Sequence, residues 1–419
     1  MKYNKFLKTT ILSLATVALP VTVTSCSFLE SLFSSSSPDN SNKTQNDNFK
    51  YISERSFSLK FWDPSINSEV YGTGWLFAKS SINDGNYYDD DYYIATNLHV
   101  ASAIQNRGKT SWEFNANTKT YEQQYYPNYK NLDLGYVISK KANGQYEFGT
   151  NYSSESISST HYLTTLDIDT SVSIAYTTFN LFKNMKLEDS NRVYNSSIFE
   201  NPTSDIAIIK INFSNAYTKD FHGINPLKSA LDIYNKNPTK FGNYNQTKNI
   251  TIAGFPFKED TLERGGKWTA SYHPSPFKIS NQSDLYNVST GIIFGNNKLW
   301  QQGIQSSNID EIKKDYVING FIPYKTDEFA CYYNVALQGV FKNVELSGGS
   351  SGSLVLDDNQ NVVGIYWGGY SLTSGEEIGA MDIFVNEKTF FTERSSTSPV
   401  IKPYSILEDF KTYVKNVNI

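Results

Sequence analysis

Apolar and polar residues alternate at the start of the folded part of the chain. Phe57, Leu59 and Phe61 stand between Ser56, Ser58 and Lys60, the period-two pattern of a half-buried strand. Gly72 to Lys79 and Tyr92 to Val100 read as two more strands. Between them, Ser81-Ile82-Asn83-Asp84-Gly85-Asn86 has hairpin-turn chemistry. Asp205 opens the apolar run Ile206-Ala207-Ile208-Ile209-Lys210-Ile211 after the turn residues Asn201-Pro202-Thr203-Ser204. A helical period stands out at the end of the chain. Ser405-Ile406-Leu407-Glu408 is a capping box, and Leu407, Phe410 and Val414 share one face. The pattern predicts an all-β unit closed by a helix over about 405–416.

Before residue 49 the pattern changes. Lys2, Lys5 and Lys8 precede the apolar segment Ile11 to Leu19, and Val23-Thr24-Ser25-Cys26 follows, so residues 1–25 read as a signal peptide. The apolar segment is too short for a good membrane span. Residues 26–48 are serine-, asparagine- and charge-rich and predict a disordered tether that cannot bury a core. The globular part is expected over 49–419, with a first barrel over about 49–240 and a second over about 241–400. The segments from Gly108 to about Ser197 and from Lys258 to Asp327 read as insertions of strands and loops beside a cleft.

Composition narrows the class. The chain has 30 Tyr and 26 Phe, which favours strands. Its net charge is −5, and loss of the leader's three lysines takes it to −8, which argues against a nucleic-acid partner. Cys26 and Cys331 are the two cysteines; Cys331 reads as a packing residue. The run Asp89-Asp90-Asp91 lacks the spaced acids of a calcium loop and reads as a solvated edge. No metal and no cofactor are expected.

The candidate chemistry is nucleophilic. Gly349-Ser350-Ser351-Gly352-Ser353 precedes the strand-like Leu354-Val355-Leu356, and flanking glycines let the backbone turn sharply around a presented hydroxyl. They also let N–H groups converge where an oxyanion would form. A serine needs a base, and the base needs a carboxylate to orient it. Of the four histidines, His99 ends an apolar strand-like run, and Asp205 opens another; His161, His222 and His273 have no such setting. Ser347, Ser350 and Ser353 compete with Ser351 for the nucleophile role, and Asp133, Asp167 and Asp169 with Asp205.

Gly72-Thr73-Gly74-Trp75, Thr96-Asn97-Leu98-His99-Val100, Asp205-Ile206-Ala207, Ile252-Ala253-Gly254-Phe255-Pro256 and Gly349 to Ser353 occur in an order that resembles bacterial trypsin-like serine peptidases. With the leader and the Asn/Tyr/Lys-rich composition, the chain resembles the mollicute surface-lipoprotein peptidase family that includes the Mycoplasma immunoglobulin proteases. The resemblance implies a chymotrypsin-like double β-barrel of two six-stranded barrels, with the closing helix packed on the second. It implies His99 as general base and acid, Asp205 as its orienter, Ser351 as nucleophile, and the Gly349 and Ser351 N–H groups as oxyanion hole. Glu345 would floor the pocket for the side chain preceding the cut bond, and the strand through Tyr366, Trp367 and Gly368 would pair with substrate. Cys26 would be acylated and hold the domain on the outer face of the cell membrane. Ser350 stands where zymogen-type relatives carry an aspartate that pairs with a freshly cut N-terminus; a serine implies a site formed without that cut. The implied substrate is a host protein, immunoglobulin heavy chain by analogy, delivered by a separate antibody-binding lipoprotein. Two other readings stay open: a protease-like domain that binds host protein without cutting, as adhesin or decoy, and a nutrient-binding lipoprotein.

Overall fold

A computed structural model describes most of residues 40–256 and 332–419, with two short strands between them. Residues 1–39, 81–87, 182–200, 257–268 and 280–331 lie outside the described residues, as do several shorter stretches, among them 343–345 and 347. Two curled antiparallel sheets form the body. The path of the first runs through β1 (Ser56–Asp63), β2 (Ser68–Ser80), β3 (Asp91–Thr96), β4 (Asn131–Lys140), β5 (Ile157–Asp167), β6 (Val172–Thr177), β7 (Ala207–Asn212) and β8 (Tyr217–Thr218), in the spatial order β8-β5-β4-β1-β2-β3-β7-β6. The second contains β9 (Ile250–Gly254), β10 (Thr269–His273), β11 (Lys278–Ile279), β12 (Gln338–Lys342), β13 (Ser353–Leu356), β14 (Asn361–Ser371) and β15 (Glu377–Ile383), in the order β10-β9-β13-β14-β15-β12-β11.

The expected all-β, chymotrypsin-like class is what forms, but the strand count differs. Among the described residues the sheets hold ten and eight strands, where six and six were expected. The difference comes largely from the segment read as an insertion beside the cleft. Its strands β4 and β5 hydrogen-bond to each other over ten residues, and β4 pairs directly with β1. They are part of the first sheet, with Leu132, Leu134 and Tyr136 fully buried.

Strands β2, β3 and β7 are buried on both faces. In β2, Trp75 and Phe77 enter a core shared by the two sheets, while Leu76 enters one lying within the first sheet. Tyr93 and Ala95 of β3 face the shared core, and Tyr92 and Ile94 the other. Two-sided burial is why Ile206 to Ile209 is a continuous apolar run without alternation.

The first helix, α1 (Asn40–Ser53), overlaps the tether expected over 26–48. Asn48 is buried, and its Nδ2 donates to Thr251 Oγ1 at 3.2 Å and the Asp357 carbonyl at 3.1 Å. Tyr51 and Ile52 enter the shared core. Arg55, just beyond, lies over the Tyr51 ring and donates to the carbonyls of Tyr51 and Asn237. Its burial pushes the guanidinium down to about 10. Helices α2 (Leu98–Gln105) and α3 (Pro226–Lys236) cover the core of the first sheet.

The closing helix α4 (Ile406–Tyr413) starts where the capping box placed it, with Ser405 accepting from Glu408 N–H. It meets the second sheet as expected, Ile406 N–H donating to the Phe384 carbonyl at 2.9 Å just past β15, and it meets the first sheet as well. Phe410 sits edge-on to Phe77, Tyr93 and Tyr176, all from the first sheet, with ring centroids at 5.1, 5.5 and 5.7 Å. Tyr176 also donates to the Asp409 carboxylate at 2.6 Å. Val417 and Asn418 then add to the edge of β2. The helix straddles the seam because its apolar stripe fits the aromatic cluster of the shared core. Replacing Phe410 by Ala should destabilise the fold by about 3–5 kcal/mol, the range for truncating a buried aromatic ring. Denaturant unfolding followed by tryptophan fluorescence would read this as a lower midpoint at unchanged slope.

Candidate active site

His99 is placed by a helix, contrary to the strand expected over Tyr92 to Val100. Strand β3 ends at Thr96, Asn97 turns the chain, and α2 begins at Leu98. Leu98, Val100, Ala101, Ala103 and Ile104 are all buried, which satisfies a helix against the core of the first sheet. An apolar run this short does not reveal its period. His99 therefore sits in the first turn of α2.

Asp205 reaches it from the neighbouring strand. β7 pairs with β3, Ala207 opposite Thr96, so the residues just outside this ladder meet as well. Asp205 Oδ2 lies 2.7 Å from His99 Nδ1, and Oδ1 accepts the His99 backbone N–H at 3.1 Å. The Asp205 carbonyl accepts from Asn97 Nδ2 at 2.6 Å and from Leu98 N–H at 3.3 Å. The Asp205 N–H donates to the Asp382 carboxylate at 2.7 Å. The Asp205 side chain is 2% exposed and the imidazole 18%. A carboxylate on Nδ1 assigns the ring proton to that nitrogen.

The loop of Ser351 comes from the second sheet and is clasped by Thr73 of β2. Thr73 N–H donates to the Ser351 carbonyl at 2.8 Å, and Thr73 Oγ1 donates to the Gly349 carbonyl at 3.0 Å. The Thr73 carbonyl accepts from Thr96 Oγ1 at 2.7 Å, three residues before His99. The loop and the helix bearing His99 thus hang from one point. Gly349 and Gly352 have φ of 92° and 95°, left-handed values that favour glycine. A Cβ on Gly352 would stand 2.0 Å from the Thr73 carbonyl oxygen, so this approach is closed to any side chain.

Ser351 is nearly buried, and its hydroxyl donates to the Trp367 carbonyl at 3.2 Å. Strand β13 ends its pairing with β14 at Ser353 opposite Tyr366, and Gly352 N–H bonds the Tyr366 carbonyl. Beyond Tyr366 that edge of β14 carries no strand partner among the described residues. The ladder to β15 shifts between Tyr366 and Gly368, a bulge that leaves Trp367 outside the pairing. A Cβ on Gly368 would meet nothing within 4 Å. The Tyr366 side chain itself is buried and donates to the Leu346 carbonyl. Glu345, Ser347, Cys26 and Cys331 lie outside the described residues.

Most of the described competing residues have other partners. Ser353 is buried and donates to the Ser350 carbonyl, and Ser350 Oγ is buried with no hydrogen-bond partner among the described residues. Asp133 pairs with Lys60 at 2.9 Å, and Asp167 caps the turn Ile168–Ser171. Asp169 meets Lys130 and Arg107, which hold its carboxyl below the usual range. In the acidic run, Asp90 pairs with Lys79 and Asp91 with Lys210. Sequence reasoning missed Thr73, Asn97 and Asp382 as parts of the site. For Asp382 a signal existed: a single acid inside the apolar stretch Ala380-Met381-Asp382-Ile383-Phe384.

Two curled antiparallel sheets, with a histidine–aspartate pair on one and a glycine-flanked serine loop on the other, define a protease-like domain of the chymotrypsin type. Residues 46–368 match the model of the family described as Mycoplasma immunoglobulin protease. The chain belongs to that family. It is similar to an uncharacterized lipoprotein of Mycoplasma pneumoniae, 24% identical over 413 residues that cover 82% of this chain and 74% of the relative. It is also 25% identical to a Mycoplasma genitalium lipoprotein over 377 residues, covering 80% of this chain and 65% of that one. Among solved structures, that of the mycoplasma MIB and MIP proteins aligns with a TM-score of 0.39 at 13% identity, over 76% of this chain and 53% of that one. The HtrA-type protease AlgW with tripeptide aligns with a TM-score of 0.29 at 10% identity, over 81% of this chain and 59% of that one. The chain thus spans about three quarters and two thirds of the two curated relatives and about half of the MIB and MIP match.

The Thr73 clasp makes a prediction at Gly352. Gly352→Ala meets both a backbone clash and an unfavourable φ, so it should lower stability by roughly 1–3 kcal/mol. Thermal unfolding of the variant beside Gly368→Ala, where space is open, separates this local demand from a general intolerance of side chains.

Proposed function

We propose that this chain is a serine endopeptidase anchored by lipid to the outer face of the cell membrane. The observation that carries the reading is the double hydrogen bond between Asp205 and His99, set beside a serine loop clasped through Thr73. In the reaction Ser351 Oγ attacks a peptide carbonyl while His99 Nε2 takes its proton. Asp205 holds the tautomer and stabilises the imidazolium. The proton then passes to the leaving amine, and water repeats the sequence on the acyl-enzyme. The N–H groups of Gly349 and Ser351 receive the oxyanion; each such donor is typically worth about 2.7–4 kcal/mol of transition-state stabilisation.

The open edge of β14 at Trp367 and Gly368 supports a substrate bound as an added strand. Glu345 is assigned to the pocket for the side chain preceding the cut bond, where a carboxylate favours Lys or Arg. The substrate we assign is a host protein, immunoglobulin heavy chain, with a separate antibody-binding lipoprotein as partner. Membership of a family described as immunoglobulin proteases supports that assignment. The lipoprotein relatives support acylation of Cys26. The buried Ser350 supports a site that forms without N-terminal cleavage.

One observation favours a second reading, a domain that binds without cutting. The Ser351 hydroxyl donates to a main-chain carbonyl, so it must turn toward Nε2 before it can act. Labelling with a fluorophosphonate decides between them. The detergent-solubilised full chain should label, and Ser351→Ala and His99→Ala should lose the label while keeping the wild-type melting curve. Absence of label in the wild type, with and without antibody present, would establish the binding-only reading.

A further inference from the structure

A side chain of the second sheet, that of Asp382, reaches the histidine–aspartate pair. Asp382 lies in β15, opposite Ile365 of β14 and Gln338 of β12, at the centre of the second sheet. It is fully buried, and Met381 and Ile383 on either side of it turn to the opposite face, into the shared core. A carboxylate in such a place is costly unless its oxygens are bonded. Its Oδ2 accepts the Asp205 backbone N–H at 2.7 Å, a charge-assisted bond that crosses from one sheet to the other. The carbonyl and carboxylate of Asp205 bond instead to residues 97–99, in the turn after β3 and the start of α2.

We propose that Asp382 is a positioning residue: its carboxylate fixes the main chain of Asp205, and through it the Asp205–His99 pair, relative to the Ser351 loop on the same sheet as Asp382. The inference rests on the serine-peptidase reading above. The geometry supplies the reason. His99 and Asp205 belong to the first sheet and Ser351 to the second, so a base and a nucleophile on separate sheets need a bond that sets their spacing. Thr73 ties the serine loop to the first sheet, and Asp382 ties the aspartate to the second. A side chain of the first sheet thus holds main chain of the second, a side chain of the second holds main chain beside the first, and together the two bonds leave the sheets little freedom to slide at this point.

The test uses the detergent-solubilised full chain and two readouts. One is fluorophosphonate inactivation resolved into a maximal rate and a half-saturating concentration. The other is the low-field proton resonance of His99 Nδ1–H, which reports the bond to Asp205 with or without activity. Asp382→Ala should lower the maximal rate roughly 10–100-fold, as expected for a misplaced catalytic group, with half-saturation unchanged. Its low-field resonance should shift or vanish. Asp382→Asn keeps an oxygen acceptor at the same reach and should hold the rate within about threefold and retain the resonance. If Asp382→Ala does not fold, Asp382→Ser, which keeps a polar group but shortens its reach, carries the same expectation. Wild-type rate and resonance in Asp382→Ala or Asp382→Ser would overturn the proposal. So would an equal loss in Asp382→Asn, which would assign the effect to charge. A wild type that does not label overturns the peptidase reading instead, and the resonance still decides the role of Asp382.

Discussion

Asp205 has its main-chain N–H, its carbonyl and both carboxylate oxygens engaged, and the site depends on that. A lone aspartate at the start of a strand would be free to choose among rotamers and to drift with its loop. Here the carbonyl is held by Asn97 and Leu98, the amide by Asp382, and the carboxylate by two atoms of His99. The first turn of α2 supplies two of those donors, the Leu98 and His99 N–H groups, because the first N–H groups of a helix have no partner within it. The result is an asymmetry of exposure: the imidazole is 18% exposed, while the carboxylate that holds it is 2% exposed.

The cores explain how noncovalent contacts alone sustain such a joint among the described residues. Strand β2 carries Thr73 within its length, β3 and β7 carry Asn97 and Asp205 just beyond their ends, and all three strands are buried on both faces. Their side chains alternate between two cores, so displacement of any one strand would disturb both. The aromatic cluster of Trp75, Phe77, Phe241, Phe384 and Phe410 fills the shared core next to the seam. Rigid packing lies directly behind the clasp at Thr73.

Much of this was legible in the sequence, and the misses have physical causes. The alternation at Phe57, Leu59 and Phe61 marked strand β1, and the capping box at Ser405 marked the start of α4. His99 and Asp205 stood out from their apolar surroundings, and the structure brings those two together. The helix α2 was not legible because the apolar run from Tyr92 to Ala101 continues from β3 into the helix with little to mark the change but Asn97. Helix α1 was hidden for the opposite reason. Its sequence is polar, and what holds its last turns is tertiary: Asn48 on the second sheet, Ser53 against Thr150, Tyr51 and Ile52 in the shared core. Asp382 is 177 residues from the residue it contacts, and no local pattern encodes such a pairing.

The placement of α1 fixes where any leash would leave the molecule. The helix lies across the seam, with Asn48 bonded to the second sheet and Ser53 bonded on the side of the first. Thirteen residues separate Cys26 from Asn40. Fully extended, a chain of that length reaches at most about 50 Å. A lipid at Cys26 would therefore confine the domain to a shell one or two domain diameters deep above the bilayer, always departing from the same point on its surface. The protein would sweep that shell rather than diffuse, and its targets would be those that come within this radius of the membrane.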